Sequence, residues 1–364
     1  MSQLRIPGPT PCPPEVLEAM ARPMIDHRGP EFVKIMQRVT EKLKQAFMTK
    51  NDLFILTGSG TGGLEAAVVN TLSPGDTVLG VSIGSFGDRF ASIARAFGAN
   101  VVPLNFEWGK AADPEAIQTA LKDDPQIKAV LITHNETSTG VTNDIAKISS
   151  VVKGAGKLLI VDSISGIGAI KCPVDEWGID VTIAGSQKGW MVPPGLTMVS
   201  VSADAWKAHA NAKMPRTYWD FAQAKKYLER GQTPWTPAVS MIFGFDVALD
   251  ILLKKGMNNI IAHHARVGST ARAGMQSLGL TLLADEAYAS DTVTAVSGNP
   301  ELNIKELRRI LREEDQIVLG GGQGKLDGKI FRIGHMGYVT EQEIKEVTAA
   351  VGAALPRCGF AAAR

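Results

Sequence analysis

Apolar residues in the first two-thirds of the chain occur either in short β-branched runs or at every third or fourth position. The short runs predict buried strands, and the three- and four-residue spacing predicts amphipathic helices that cover them. The predicted strands are 53–56, 77–83, 100–105, 128–133, 157–162, 180–185 and 197–202, and helical patterns between them cover 87–98, 113–122 and 144–156. This alternation predicts an α/β fold with a mostly parallel sheet and helices on both of its faces.

The pattern changes after about residue 240. Two long helices, 239–256 and 257–279, each end at a glycine. They are followed by a strand at 291–297, a helix at 303–315, a strand at 329–334 and a helix over 340–355. We therefore expect a large domain over 16–240 and a smaller C-terminal α+β domain over 241–364. The glycine run at 320–324 is expected to be only a flexible connection between strands.

The composition narrows the possible partners and compartment. The 38 basic and 37 acidic side chains nearly cancel, so charge gives no reason to expect binding to nucleic acid or to an anionic membrane. No basic-then-apolar leader and no apolar run of membrane-spanning length occurs, which favours a cytoplasmic protein. The three cysteines and the histidines show no metal-ligand spacing, so neither a disulfide framework nor a metal site is expected.

A glycine-rich turn follows the first predicted strand of the large domain. Gly58, Gly60 and Gly63 have the spacing of a dinucleotide-binding loop and lead into a helical pattern. Such a loop requires an acidic residue at the end of the second strand, but Asp76 lies at the start of 77–83. The turn therefore predicts a phosphate-binding helix start rather than a nicotinamide site.

Two ionisable residues follow consecutive predicted strands. Asp162 ends the run 157–162, and Lys188 follows the run 180–185 in a turn of small residues. Taken singly, Asp162 could cap the next turn, and Lys188 could be an exposed loop lysine. Together with the phosphate-binding turn, they match the needs of pyridoxal phosphate: a lysine for its aldehyde carbon and a carboxylate for its ring nitrogen.

Several ordered motifs carry a family resemblance. The segments SGTGGLEAA (59–67), ITHNETSTGV (132–141), IVDSISGIGA (160–169), AGSQKG (184–189) and FRIGHMG (331–337) resemble class V aminotransferases. The similarity is greatest to the alanine–glyoxylate and serine–glyoxylate (serine–pyruvate) group and extends from 7–20 to the last helix. It implies the pyridoxal-phosphate-dependent transferase fold of type I, and a homodimer with active sites at the subunit interface. It also implies an N-terminal segment, 1–15, that packs at the active-site cleft.

The resemblance implies roles for residues around the cofactor ring. Lys188 would form an imine with the cofactor, and Asp162 would pair with the pyridine nitrogen. Phe86 falls where many relatives place a tryptophan over the ring. Thr137 would hydrogen-bond the ring's hydroxyl side.

Further roles implied by the resemblance concern the phosphate and the substrate. The phosphate would be held by Ser59, Gly60, Thr61 and Gln187, although Thr61 replaces the histidine of mammalian-type enzymes. Arg332 would bind the α-carboxylate of the substrate, beside Gly8. The segment 231–240 would cross to the partner's cofactor phosphate with Thr233 and Thr236, although relatives often have tyrosine in place of Thr233.

The expected function is transfer of an amino group from alanine or serine to glyoxylate or pyruvate by a ping-pong mechanism. Three alternatives remain open from the sequence. An anionic donor such as aspartate or an aminophosphonate could be met by Arg28, which could equally form a structural ion pair. The fold could instead support a lyase or desulfurase reaction, although Gln187 replaces the histidine usual before the desulfurase lysine. The chain could also be a non-catalytic binding protein.

Overall fold

A computed structural model describes residues 3–297 and 301–360. Its strands are β1 (Gln3–Arg5), β2 (Asp52–Thr57), β3 (Thr77–Ser82), β4 (Asn100–Asn105), β5 (Ile127–Thr133), β6 (Asn135–Glu136), β7 (Val141–Thr142), β8 (Leu158–Asp162), β9 (Val181–Gly185), β10 (Leu196–Val201), β11 (Thr281–Leu282), β12 (Val293–Ser297), β13 (Ile317–Gly321) and β14 (Ile330–Gly334). Its helices are α1 (Pro14–Met20), α2 (Pro30–Phe47), α3 (Gly60–Thr71), α4 (Ser85–Ala96), α5 (Pro114–Asp123), α6 (Ile145–Gly154), α7 (Ala203–Asn211), α8 (Phe221–Leu228), α9 (Val239–Lys255), α10 (Met257–Ser277), α11 (Ile304–Glu313) and α12 (Glu341–Ala354).

A seven-stranded sheet forms the large part of the molecule, in the order β2-β10-β9-β8-β5-β3-β4. All of its strands run parallel except β10, which is antiparallel to both β2 and β9. The prediction of a mostly parallel sheet is therefore confirmed. The exception follows from the connection over 186–195, which contains no helix and is shorter than the crossover of about a dozen residues that a parallel neighbour needs.

The second sheet has the order β1-β13-β14-β12-β11 and joins the two ends of the chain. The N-terminal strand β1 pairs in parallel with β13, and β13 pairs in antiparallel with β14. Gly320 and Gly321 belong to β13, so the expectation that 320–324 is only a flexible connection is wrong for these two residues. Their lack of side chains has a packing reason, because a Cβ on Gly321 would lie 2.7 Å from a guanidinium nitrogen of Arg308.

The chain beyond Lys188 is anchored in the core of the large sheet. Trp190 is fully buried, with its ring centroid 5.4 Å from that of Phe47 in a stacked arrangement and 6.0 Å from that of Phe245. Phe245 lies on α9, which packs against α1 and α2. These contacts fix the backbone two residues beyond the candidate lysine.

The observed helix boundaries differ from the predicted ones at one place that matters for the site. Helix α4 begins at Ser85, two residues before the predicted start at 87, so Phe86 lies in its first turn. Among the described residues, no helix combines the length and apolar character that crossing a membrane requires.

Candidate active site

The carboxyl ends of β8 and β9 bring together the two ionisable residues predicted from the strand pattern. The strands are parallel neighbours, with Asp162 at the last position of β8 opposite Ile183. Lys188 follows three residues after the end of β9. Asp162 is 2% exposed and Lys188 is 9% exposed, so both charges lie away from bulk water.

The N-terminal segment covers Lys188. The Nζ of Lys188 donates a hydrogen bond to the carbonyl oxygen of Pro7. A Cβ on Gly8 would lie 2.6 Å from the same Nζ, so only glycine fits beside the amine at this position. Thr10 donates from its amide to the carbonyl of Gln187 and from its hydroxyl to the carbonyl of Lys188, both at 3.1 Å. Residues 7–10 therefore form one wall around the lysine.

Burial shifts both ionisable groups toward their neutral forms. Burial, together with the positive charge of Arg332, lowers the pKa of Lys188 to about 8, although Asp162 acts in the opposite direction. Burial raises the pKa of Asp162 to about 7, and the hydrogen bond from the amide of Ile164 partly opposes that rise. A substantial fraction of Lys188 is thus the free, nucleophilic amine near pH 8.

The glycine-rich turn presents free backbone donors at the start of α3. Ser59 is the N-cap residue, and Gly62 and Gly63 donate to its carbonyl. The amides of Gly60 and Thr61 find no acceptor in the part of the chain that the structure describes. Unpaired amides at a helix N-terminus form a site suited to a phosphate group.

The same region shows close packing and an unpaired polar atom. A Cβ on Gly60 would lie 2.4 Å from the Cδ1 of Ile164, and a Cβ on Gly185 would lie 3.1 Å from the Oε1 of Gln187. That Oε1 is buried without a hydrogen-bond partner within residues 3–297 and 301–360. Because a half-turn of the amide exchanges its oxygen and its NH2, Gln187 can offer a donor to a phosphate. These residues therefore fit a phosphorylated cofactor.

A buried carboxylate that the sequence prediction missed holds the start of α4. Glu136 is fully buried, and its carboxylate accepts hydrogen bonds from the amides of Phe86, Gly87 and Ser138 and from the Ser138 hydroxyl. Burial raises the pKa of Glu136, while these hydrogen bonds favour the ionised form. The residue lies in the segment ITHNETSTGV (132–141), but the sequence does not show that it contacts the helix start at Phe86. Glu136 thereby fixes the backbone that carries this half-buried aromatic ring.

Thr137, the residue after Glu136, contacts Arg332. The hydroxyl of Thr137 lies 2.9 Å from the Ser165 hydroxyl, and its carbonyl accepts from the Nη1 of Arg332 at 2.9 Å. Arg332, on β14, is 6% exposed, and burial lowers its pKa to about 10. No carboxylate of the described residues forms an ion pair with it. A buried guanidinium without such a partner is suited to an incoming carboxylate.

The segment 231–240 lies beside the end of β2, where the amide of Ala238 donates to the hydroxyl of Thr57 at 3.4 Å. The hydroxyl of Thr233 donates to the carbonyl of Trp235 at 2.7 Å, and Thr236 is exposed. Arg28 donates to the carbonyls of Thr233 at 2.6 Å and Pro234 at 3.1 Å. Arg28 therefore braces this segment through main-chain oxygens, and it pairs with no carboxylate among the residues described.

The fold and this constellation define a pyridoxal-phosphate-dependent transferase of fold type I. The family model of class V aminotransferases matches residues 4–347. The chain belongs to this family and is a pyridoxal-phosphate-dependent aminotransferase.

Named relatives extend over nearly the whole chain. An uncharacterized aminotransferase of Methanocaldococcus jannaschii is 43% identical, with 98% of this chain and 93% of the relative covered. A protein of Anabaena cylindrica named soluble hydrogenase 42 kDa subunit is 42% identical, covering 98% and 94%. An L-aspartate–glyoxylate aminotransferase of Paracoccus denitrificans is 37% identical, covering 92% of this chain and 86% of the relative. A serine–glyoxylate aminotransferase of Methylorubrum extorquens is also 37% identical, covering 93% and 87%.

A solved structure agrees with the same assignment. The crystal structure of ureidoglycine–glyoxylate aminotransferase from Bacillus subtilis matches with a TM-score of 0.94 and 30% identity, covering 100% of this chain and 95% of that one. The similarity thus includes both sheets and the N-terminal segment over Lys188.

Proposed function

We propose that this aminotransferase moves the amino group of a small amino acid, alanine or serine, to a 2-oxo acid, glyoxylate or pyruvate, by a ping-pong mechanism. The observation that carries the proposal is that a buried amine and a buried guanidinium lie close enough for the charge of Arg332 to lower the pKa of Lys188, after burial as the main cause. Lys188 supplies a neutral amine near pH 8, and Arg332 presents a guanidinium without an ion-pair partner among the described residues. An α-amino acid carries the matching carboxylate next to its reacting carbon.

Three groups of residues would hold different parts of the cofactor. Lys188 would hold pyridoxal phosphate covalently through Nζ, and Asp162 would face the ring nitrogen. The free amides of Gly60 and Thr61, with Ser59 and the amide of Gln187, would hold the phosphate. Phe86 would cover the ring, and Thr137 would reach its hydroxyl. When bound, the cofactor supplies an electron-withdrawing ring that stabilises negative charge at the substrate's α-carbon.

The chain's own residues then orient the substrate and move a proton. Arg332 would bind the α-carboxylate and so fix the α-carbon close to the Nζ of Lys188. Since the pKa of Lys188 lies at about 8, its free amine is a base that can accept the α-proton and return it. Residues 7–10 pack over this amine and exclude water from it. Two such half-reactions, with different substrates, give the ping-pong order.

The surroundings of Arg28 favour a donor with an uncharged side chain. Arg28 was the candidate for recognising a second anionic group, but two of its hydrogen bonds go to main-chain carbonyls of 233 and 234. The serine–glyoxylate aminotransferase among the relatives supports a donor of this class.

A second candidate function is transamination from an anionic donor such as aspartate. Arg89 is exposed, and its guanidinium carbon lies 4.8 Å from the centroid of the Phe86 ring. Burial is the main cause of both pKa shifts, raising the pKa of Asp162 and lowering that of Lys188. The positive charge of Arg89 makes a smaller contribution that lowers the pKa of each residue. This cation could meet a side-chain carboxylate, and the aspartate–glyoxylate relative supports that possibility.

The half-reaction of the holoenzyme with single amino acids separates these candidates. We expect alanine and serine to convert the bound cofactor to its amine form at least about tenfold more efficiently than aspartate, because Arg28 is already held by the carbonyls of Thr233 and Pro234. The absorbance change of the cofactor measures the conversion. A preference for aspartate, lost in Arg89→Gln and kept in Arg95→Gln on the same helix, would establish the second candidate instead.

The thiols give no support to a desulfurase reaction. Burial raises the pKa of Cys12 and of Cys358, and it raises that of Cys172 to about 12. Desulfuration needs a reactive thiolate above the cofactor, whereas all three thiols are held in the protonated form at neutral pH. We therefore do not propose this reaction.

We also propose that two chains form a homodimer in which segment 231–240 completes the partner's phosphate site. Arg28 holds this segment in place, and the hydroxyl of Thr236 is exposed on it. We expect Thr236→Ala to release the cofactor about tenfold faster, because one hydrogen bond to a charged phosphate is lost. Thr217→Ala, at an exposed threonine outside the segment, is the control. Equal release rates for the two variants, or a monomer in sedimentation, would contradict the proposal.

A further inference from the structure

The donors of Arg332 are unevenly occupied. A guanidinium has five N–H groups. The Nε donates to the carbonyl of Gly321 at 2.7 Å, and the Nη1 donates to the carbonyl of Thr137 at 2.9 Å and to the Oε1 of Gln323 at 3.3 Å. The Nη2 has no acceptor among the residues described. A carboxylate bound by two parallel hydrogen bonds must therefore use Nη2 together with either Nε or Nη1.

Of the three present acceptors, Gln323 is the one that can leave. The carbonyl of Gly321 belongs to β13, whose backbone is paired with β14. The carbonyl of Thr137 belongs to a buried stretch between β6 and β7. Gln323 instead offers a side-chain oxygen, at the longest of the three distances, from a residue that is only half-buried. A neutral amide is also a weaker acceptor for a guanidinium than a carboxylate is.

The loop that carries Gln323 lies against the start of α4. Its turn is tight, because a Cβ on Gly322 would lie 1.9 Å from the carbonyl oxygen of Leu326. Gly324 has a φ of +54°, and a Cβ there would lie 3.4 Å from the Ser85 hydroxyl and from the Trp108 ring. Since Ser85 precedes Phe86, the loop lies at the same cleft as the candidate cofactor and substrate residues.

We propose that Gln323 is a reversible occupant of the Arg332 guanidinium that the substrate's carboxylate displaces. The residue at position 323 then sets the affinity for both the amino acid and the 2-oxo acid without taking part in the proton transfer. This inference rests on the proposed function, because it takes Arg332 as the carboxylate-binding residue.

Two substitutions, one that strengthens and one that removes the acceptor at position 323, test whether the substrate's carboxylate displaces Gln323 from Arg332. Gln323→Glu places a carboxylate on Arg332, so an internal ion pair competes with the substrate. Gln323→Leu is similar in size but accepts no hydrogen bond, so the Nη1 donor is left free for the substrate. Gln276→Glu makes the same change of charge at an exposed position on α10 and serves as the control.

The measurements are the amino-acid dependence of the half-reaction and the calorimetric binding of propionate, a monocarboxylate without an amino group, to the holoenzyme. We expect Gln323→Glu to weaken both affinities about tenfold to a hundredfold, with the limiting half-reaction rate changed less than about threefold. Gln323→Leu should bind as tightly as the wild type or more tightly.

Two outcomes would overturn the inference. One is propionate binding by Gln323→Glu within about twofold of that by Gln276→Glu. The other is a limiting rate that falls as much as the affinity does, since a displaced occupant changes binding and not the proton transfer. Failure of the proposed function gives a different result. The wild type would convert neither alanine nor serine, while propionate binding would still follow the order Leu, Gln, Glu at position 323.

Discussion

Lys188→Ala is expected to lower the rate of transamination by at least about 10⁴-fold, because it removes both the covalent attachment of the cofactor and the base that moves the α-proton. The steady-state rate with alanine and glyoxylate measures the loss. Mass spectrometry after borohydride reduction gives a second readout, since the wild-type chain should retain the cofactor covalently and the variant should not.

Lys188→Arg tests whether the positive charge at position 188 is sufficient without a nucleophilic and basic amine. Arginine keeps a positive charge near Asp162 but does not deprotonate in proteins, so it offers neither a nucleophile nor a base. We expect a loss close to that of Lys188→Ala. Lys345→Ala, at an exposed position on α12, should retain both activity and covalent cofactor. Covalent cofactor in Lys188→Ala would show that another amine forms the link and would refute the assignment.

The position of Asp162 beside Lys188 was predictable from the strand pattern. Asp162 ends one apolar run of buried-strand length, Lys188 lies three residues beyond the end of the next, and the carboxyl ends of neighbouring parallel strands lie at one edge of a sheet. The structure pairs β8 with β9, which places the two strand ends side by side. The physical reason is local: a continuous apolar run is a strong strand signal, and the polar residue that ends it marks the sheet edge.

The cover over Lys188 was not predictable in the same way. Strand β1 contains only three residues, too few for a periodic signal, and it pairs with β13 from the other end of the chain. That long-range pairing carries Pro7 and Gly8 to the lysine amine. Sequence similarity to relatives indicated a segment at the cleft, but no pattern in 1–15 specifies the contact.

Glu136 and Gln323 were missed for two different reasons. Glu136 is important because α4 starts at Ser85 and its first amides donate to the Glu136 carboxylate. The helix start predicted at residue 87 excludes Phe86 from the helix and therefore does not indicate this contact. Gln323 lies in a glycine run, and glycines weaken a strand signal because they add no side chain to its pattern. In both places a tertiary contact, rather than local propensity, decides what the residue does.

Asp162→Asn is expected to lower the limiting rate of the half-reaction about 10²- to 10³-fold, because an amide cannot stabilise a protonated ring nitrogen as a carboxylate does. The side chain keeps its shape, and its oxygen can still accept from the amide of Ile164, as Asp162 does at 3.0 Å. Asp180→Asn is the matched control. Asp180 is also buried near a strand end, but it is ion-paired with Lys153 at 2.8 Å and lies at the amino end of β9. Asp180→Asn should lower the stability of the protein but leave the activity of each folded molecule unchanged.

The stability of the cofactor-free protein distinguishes a catalytic role of Asp162 from a structural role. Burial raises the pKa of Asp162 to about 7 in the folded protein, whereas an unfolded aspartate has a pKa of about 4. The folded state therefore binds the proton more tightly, and this group's contribution to stability is lost as pH rises from about 4 to 7, by about 4 kcal/mol. Asp162→Asn has no proton to lose there, so its melting temperature should exceed that of the wild type at pH 8 and match it near pH 4. A structural carboxylate would give the reverse, since its removal would lower the melting temperature at pH 8 together with the rate. Only the combination of a slower half-reaction and a more stable cofactor-free protein supports the catalytic role.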